Sequence, residues 1–260
     1  MNPSSHPPVP ALAVIGGTGV YAFPGLEHPV RHEVTTRWGV PSSAIVAGEV
    51  EGRPVAFLAR HGETHALAPH RINYRANIAA LHELGCRRVL GINAVGGIRD
   101  DMAPRVLAIP DQLIDYTCGR AASFCDADGE AVLHVEFGDP YSPSLRSDLL
   151  AAGAAAGIEV VDGGCYGATQ GPRLETRAEI ERMRRDGCDL VGMTGMPEAA
   201  LARELGMEYA CVAVVANWAA GCGPRPDVPI ELAEIHAHLA AASGRVPAIV
   251  RALLAEAERR

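Results

Sequence analysis

Short apolar runs that close on glycine recur along this chain, with helical stretches between them. "ALAVIGG" reads as a buried strand opening into a loop. "SSAIVAGEVEGRPVAFLAR" reads as two strands joined by a turn at Glu51 and Gly52. "NYRANIAALHELG" spaces Ile78, Leu81 and Leu84 near a helical period and stops at Gly85. "RRVLGINAVGG" is the next buried strand, and "SPSLRSDLLAAGAAAG" a helix with a serine start and a glycine end. A strand through "EVVDGGCYGAT" leads to the loop "QGPRLE" and a helix over 176–185. "CDLVGMT" and "MEYACVAVVAN" are strands around the helix "MPEAALARELG", and one long amphipathic helix is expected from Pro229 nearly to the end. Strands alternating with helices imply an α/β sheet covered by helices. With no repeat, linker or change of composition in mid-chain, 11–260 reads as one domain behind a flexible Pro/Ser-rich tail at 1–10.

The bulk properties narrow the function classes. Hydrophobic residues make up 48% and charged residues 21%, as in an ordinary water-soluble globular protein. A net charge of -8, with no run of five basic residues, argues against nucleic acid as a partner. No apolar stretch is long enough to span a membrane, and the N-terminus lacks the charged-then-apolar pattern of a signal peptide. The seven cysteines include no C-x-x-C pair and cannot all be paired, so free thiols and a cytoplasmic location are expected.

The informative residues sit where strands end. Gly16-Gly17-Thr18-Gly19, Arg60-His61-Gly62, Asn93 through Gly97, Met193-Thr194-Gly195 and Asn217 each follow an apolar run. Crevices at such strand ends bind ligands in α/β proteins, and this set suggests an anion site beside a polar organic pocket. "GTGVYA" also fits a dinucleotide fingerprint, which needs a helix directly behind the loop. Pro24, Gly25 and Pro29 stand where that helix would run, and a proline inside a helix costs about 3 kcal/mol. The same loop still suits one small anion: its backbone N–H groups and the Thr18 hydroxyl form a nest, Arg60 adds a fork, and His61 a further donor.

"IGGTG", "ARHG" with "NYRANIAAL", "NAVGG", "TQGPRLET" and "VGMTGMPEAALARELG" occur in an order that resembles the purine nucleoside phosphorylase and methylthioadenosine phosphorylase family. The resemblance runs from about Leu12 to Asn217. It implies a three-layer α/β/α fold with a mixed, partly closed central sheet, and assembly as a homotrimer. It also implies reversible phosphorolysis of a purine nucleoside, with inorganic phosphate as co-substrate and neither metal nor organic cofactor. Phosphate contacts would come from Thr18, Arg60, His61, Asn93, the Ala94 backbone N–H and Thr194; relatives often carry a hydroxyl residue in place of Asn93. Met193 would lie against the ribose, although on sequence alone it could fill the core. "VLHVEF" resembles a segment that enters a neighbouring subunit's sugar pocket, placing His134 there in trans; the alternative is an ordinary surface histidine.

Family members that cleave 6-aminopurines typically carry Asp at the position of Asn217 and a second Asp at the position of Ala219. The carboxamide of Asn217 offers a donor to O6 and an acceptor to N7–H. Glu175 resembles the acid that accepts from N1–H of 6-oxopurines, while also suiting the first turn of a helix. These two residues would be the catalytic base contacts, with Ala219 beside them; whether Trp218 lines the pocket or packs behind it stays open. At the sugar end, Val228, Pro229, Ile230 and Leu232 offer apolar groups where a 5′-hydroxyl would need a polar partner, and His236 lies further into the helix. The combined expectation is S-methyl-5′-thioinosine as substrate. Methylthioadenosine, inosine or guanosine, and a silent nucleoside-binding module are the alternatives.

Overall fold

The computed structural model describes residues 9–125 and 132–256. Most of the expected tail, residues 1–8, lies outside them. The first strand, β1 (Leu12–Gly16), alternates its side chains between two apolar layers. Ala13 and Ile15 face one cluster, Leu12 and Val14 the other. Such two-sided burial explains why the run is apolar throughout instead of alternating with polar residues.

The sheet is mixed. β2 (Glu27–His32), β3 (Ile45–Val50) and β4 (Arg53–Ala59) form an antiparallel ribbon, and β4 joins β1 in parallel. β1 then pairs in parallel with Val89–Gly91 of β5 (Arg88–Gly97). The far end of the same β5 edge, at Gly96 and Gly97, takes β10 (Leu190–Gly192) antiparallel. Beyond β10 come β9 (Cys165–Ala168) and β7 (Gln112–Asp115). The opposite β5 edge carries β11 (Glu208–Trp218), followed by β6 (Leu107–Ile109) and β8 (Val161–Asp162). The sheet therefore branches at β5, and no pairing among the described strands closes it.

Helices α1 (Tyr74–Glu83) and α4 (Glu198–Glu204) cover one face. On the other lie α2 (Pro143–Ala155), α5 (Leu232–Ser243) and α6 (Val246–Glu256). α3 (Arg177–Asp186) packs over a smaller cluster with Ile98, Val191 and Ala219. This is the expected three-layer architecture. The single C-terminal helix is corrected to two, because the chain turns at Gly244 and Arg245 between α5 and α6. The strand expected through "EVVDGGCYGAT" is likewise two strands, separated by Gly163 and Gly164, whose φ values of 85° and 119° suit glycine.

Candidate active site

β4, β1, β5 and β11 run parallel, so their C-terminal ends open on the same side. A cavity of about 480 Å³ lies there, walled by α5 and by the loops after β9 and β10. It gathers Thr18, His61, Ala94, Met193, Thr194, Glu175, Asn217 and Ala219 from distant parts of the sequence. Arg60, Asn93, Trp218 and His134 do not line it. After the Gly16–Gly19 turn the chain passes into β2, with no helix behind the glycines, so the pyrophosphate reading of that loop fails.

Arg60 and Asn93, expected as phosphate contacts, instead stand behind the lining residues Gly17 and Thr194. Arg60 is fully buried, with Nε 2.5 Å and Nη2 2.9 Å from the two carboxylate oxygens of Glu198. Nη1 donates to the Ile92 carbonyl at 2.8 Å and lies against Gly17. A Cβ at Gly17 would sit 2.4 Å from the Ile92 oxygen, so only glycine lets this loop approach the arginine. Burial alone would favour deprotonation of Arg60; the Glu198 carboxylate outweighs it and holds the guanidinium charged. Tyr209 also donates to Glu198, at 2.9 Å. Asn93 donates from Nδ2 to the Thr194 hydroxyl at 2.8 Å. That oxygen is thereby an acceptor for Asn93, and its own proton is left for another acceptor.

His61 is 6% exposed, and its Nδ1 lies 2.8 Å from the Leu67 carbonyl. Burial lowers its pKa to about 4, against a smaller opposing effect of the Leu67 hydrogen bond, so the ring is neutral near pH 7. Its ring packs against His65, with centroids 4.6 Å apart. Burial first, and His236 second, hold His65 below the usual histidine range.

The same cavity also carries a carboxamide, Asn217, and a carboxylate, Glu175. β11 departs from regular pairing here: Val215 opposes Val95 and Asn217 opposes Gly96, leaving Ala216 as the extra residue of a bulge. Ala216 and Asn217 consequently both line the cavity, which strict strand alternation would forbid. Asn217 Nδ2 donates to the Trp218 carbonyl at 2.7 Å, fixing the amide and leaving its oxygen and second N–H for a ligand. Glu175 accepts from the Thr169 hydroxyl at 2.6 Å. It is not the helix-capping acid of α3. Thr176 caps that helix reciprocally with Glu179, which leaves Glu175 outside the first turn. Trp218 packs behind the site on Gly223, where a Cβ would meet the indole at 2.4 Å. His134 is exposed and off the cavity of its own chain.

Four residues escaped sequence reasoning, and a fifth, His236, is placed by it only further into the expected C-terminal helix. Glu198, in the first turn of α4, is fully buried against Arg60. Thr169 looked like a strand end. Arg120 carried no motif, but its guanidinium donates to the carbonyls of Thr169, Gln170, Met193 and Met196 at 2.5–3.0 Å. It ties together the two loops that hold Glu175 and Thr194. His65 and His236 reach the cavity through a loop and α5, beside Ile230, Leu232 and Ile235.

Hydroxyls and a neutral imidazole that share one cavity with a carboxamide and a carboxylate accord with a pentosyl-transferring phosphorylase. A family description, the phosphorylase superfamily, matches residues 11–255, and the chain belongs to that family. It is similar to a probable S-methyl-5'-thioinosine phosphorylase from Xanthomonas campestris pv. campestris, with 62% identity over 92% of this chain and 95% of that protein. It is 44% identical to a 6-oxopurine nucleoside phosphorylase from Pyrococcus furiosus, over 87% of this chain and 86% of that one. Among solved structures it resembles methylthioadenosine phosphorylase from Schistosoma mansoni in complex with adenine. The TM-score is 0.91 and the identity 28%, covering 96% of this chain and 93% of that one.

Proposed function

We propose that the enzyme catalyses reversible phosphorolysis of S-methyl-5′-thioinosine, giving hypoxanthine and 5-methylthioribose 1-phosphate in purine salvage. The observation that carries this reading is the pairing of Asn217 with Glu175 in one cavity, with Ala219 where a second acid would serve 6-aminopurines. Glu175 accepts from N1–H of the base. The free N–H of Asn217 meets O6, and its oxygen takes the N7–H that forms as the glycosidic bond breaks. The names of the relatives at 59–62% identity support the same substrate.

Phosphate binds over Thr18, His61, Thr194 and the Ala94 backbone, with Arg60 and Asn93 behind them. It attacks the anomeric carbon as the bond to the purine breaks, and its charge stabilises the cationic sugar in the transition state. No protein nucleophile forms a covalent intermediate, and the chemistry calls for no metal or organic cofactor. Met193 lies along the ribose. Ile230, Leu232 and Ile235 receive the 5′-methylthio group. We further propose that the enzyme works in the cytoplasm as a homotrimer, in which His134 completes the sugar pocket of a neighbouring subunit.

His65 and His236 favour a second reading, a 5′-hydroxyl substrate such as inosine, because either ring could bond that hydroxyl. Initial rates with methylthioinosine, methylthioadenosine and inosine, with and without phosphate, separate the readings. Methylthioinosine is expected to give the highest kcat/KM, and only with phosphate. A preference for inosine would establish the second reading, and one for methylthioadenosine would overturn the role given to Asn217.

A further inference from the structure

We propose that His61 meets the inorganic anion as a hydrogen-bond acceptor, so that the site selects an oxyanion carrying a proton over one that carries none. This rests on the reading that Thr18, His61 and Thr194 hold phosphate. A carbonyl oxygen has no proton to give, so the 2.8 Å contact with Leu67 fixes the proton of the neutral ring on Nδ1. Nε2 then presents a lone pair. It has no protein partner among the described residues, and the ring lines the cavity beside Thr18, Ala94 and Thr194.

The surrounding charges leave the ring in that state. Arg60, the nearest cation, spends its charge on Glu198, and His65 stacks against the ring. The anion end thus consists of donors, namely the Thr194 hydroxyl freed by Asn93 and the Thr18 hydroxyl, around one acceptor. Phosphate keeps one proton in neutral solution and so does arsenate; sulfate keeps none. The P–OH group donates to Nε2, which leaves its three unprotonated oxygens to the donors. Sulfate would set an oxygen lone pair against the Nε2 lone pair, in a buried place where such a mismatch is not relieved by water. His61 is thereby a specificity-determining residue for the co-substrate, and no proton transfer is required.

Calorimetric titration of the wild-type enzyme with phosphate, arsenate and sulfate at pH 7.5 tests this without any substitution. Phosphate and arsenate are expected to bind with similar affinity, and sulfate at least about fivefold more weakly, as buried polar groups reject a ligand that cannot pair with them. Sulfate binding within fivefold of phosphate would overturn the proposal. In His61→Gln, whose amide can rotate to donate, the preference for phosphate should shrink by at least about threefold; an unchanged ratio in a folded variant would also overturn it. Where the variant does not fold, the wild-type comparison decides. Absence of phosphate binding would instead bring down the phosphorylase reading of this pocket.

Discussion

The two ends of the cavity are built differently. At the end proposed to hold phosphate, several cavity groups are held by partners behind them: Thr194 by Asn93, His61 by the Leu67 carbonyl, and the Gly17 loop by Arg60 and Ile92. Of these partners Asn93, Arg60 and Ile92 are buried, on β5 or directly after β4, while Leu67 is half-buried in the loop beyond His61. At the base end, Asn217 and Glu175 are half-buried and each is steadied by a single hydrogen bond. An invariant ligand calls for a rigid cradle whose groups are locked before binding. A selective end can change one side chain without disturbing the core. The anion end should therefore couple stability to activity, and the base end should decouple them.

The largest effect expected is at Glu198. Glu198→Gln leaves Arg60 charged, buried and without its carboxylate, which should destabilise the fold by about 3 kcal/mol or more. Urea unfolding measures this, and phosphorolysis should fall with it. Full stability in the variant would break the comparison, because the buried pair would then not be holding the anion end together.

A smaller effect follows from His61. Its pKa in the fold is about 4, against an ordinary 6.5 in the unfolded chain. Above pH 6.5 the ring is neutral in both states and contributes no pH dependence. As the pH falls the unfolded chain takes up the proton first, so stability drops progressively from 6.5 until about 4. Between pH 7.5 and 5 the wild type should lose about 2 kcal/mol more than His61→Asn. Equal losses in denaturant titrations at the two pH values would show that the ring is hydrated.

The smallest effect on stability belongs to Asn217→Asp, which should change the unfolding free energy by less than about 1 kcal/mol. Its effect on selectivity should be at least about tenfold, weakening methylthioinosine turnover relative to methylthioadenosine, since a carboxylate repels O6. The ratio of the two kcat/KM values gives the answer. A large loss of stability with little change in that ratio would reverse the roles assigned to the two ends.

Much of this organisation is visible in the order of residues. The strands β1, β4, β5, β10 and β11 are largely buried on both faces, so they read as apolar runs, and their glycine-polar endings mark the cavity rim. Short strands such as β6 and β7 carry too few residues for a period to show, and β2 is exposed along its length. Thr18, His61, Thr194 and Asn217 stand out because they follow apolar strands, whereas Ala94, Met193, Glu175 and Ala219 are assigned through the family resemblance; all eight line the cavity.

Sequence alone thus determined the fold class, the strand ends that open on the cavity, and the neutral amide at Asn217. Tertiary structure decided which of the named polar groups line the cavity and which stand behind them. Arg60 and Glu198 are 138 positions apart, and nothing local distinguishes an acid that solvates a helix start from one that neutralises a buried arginine. The bulge that turns both Ala216 and Asn217 into the cavity arises from pairing with β5, a partner more than a hundred residues away. Patterns of side-chain period come from the local backbone and can be read along the chain. Pairing of charges and register of strands depend on surfaces that meet only when the core closes.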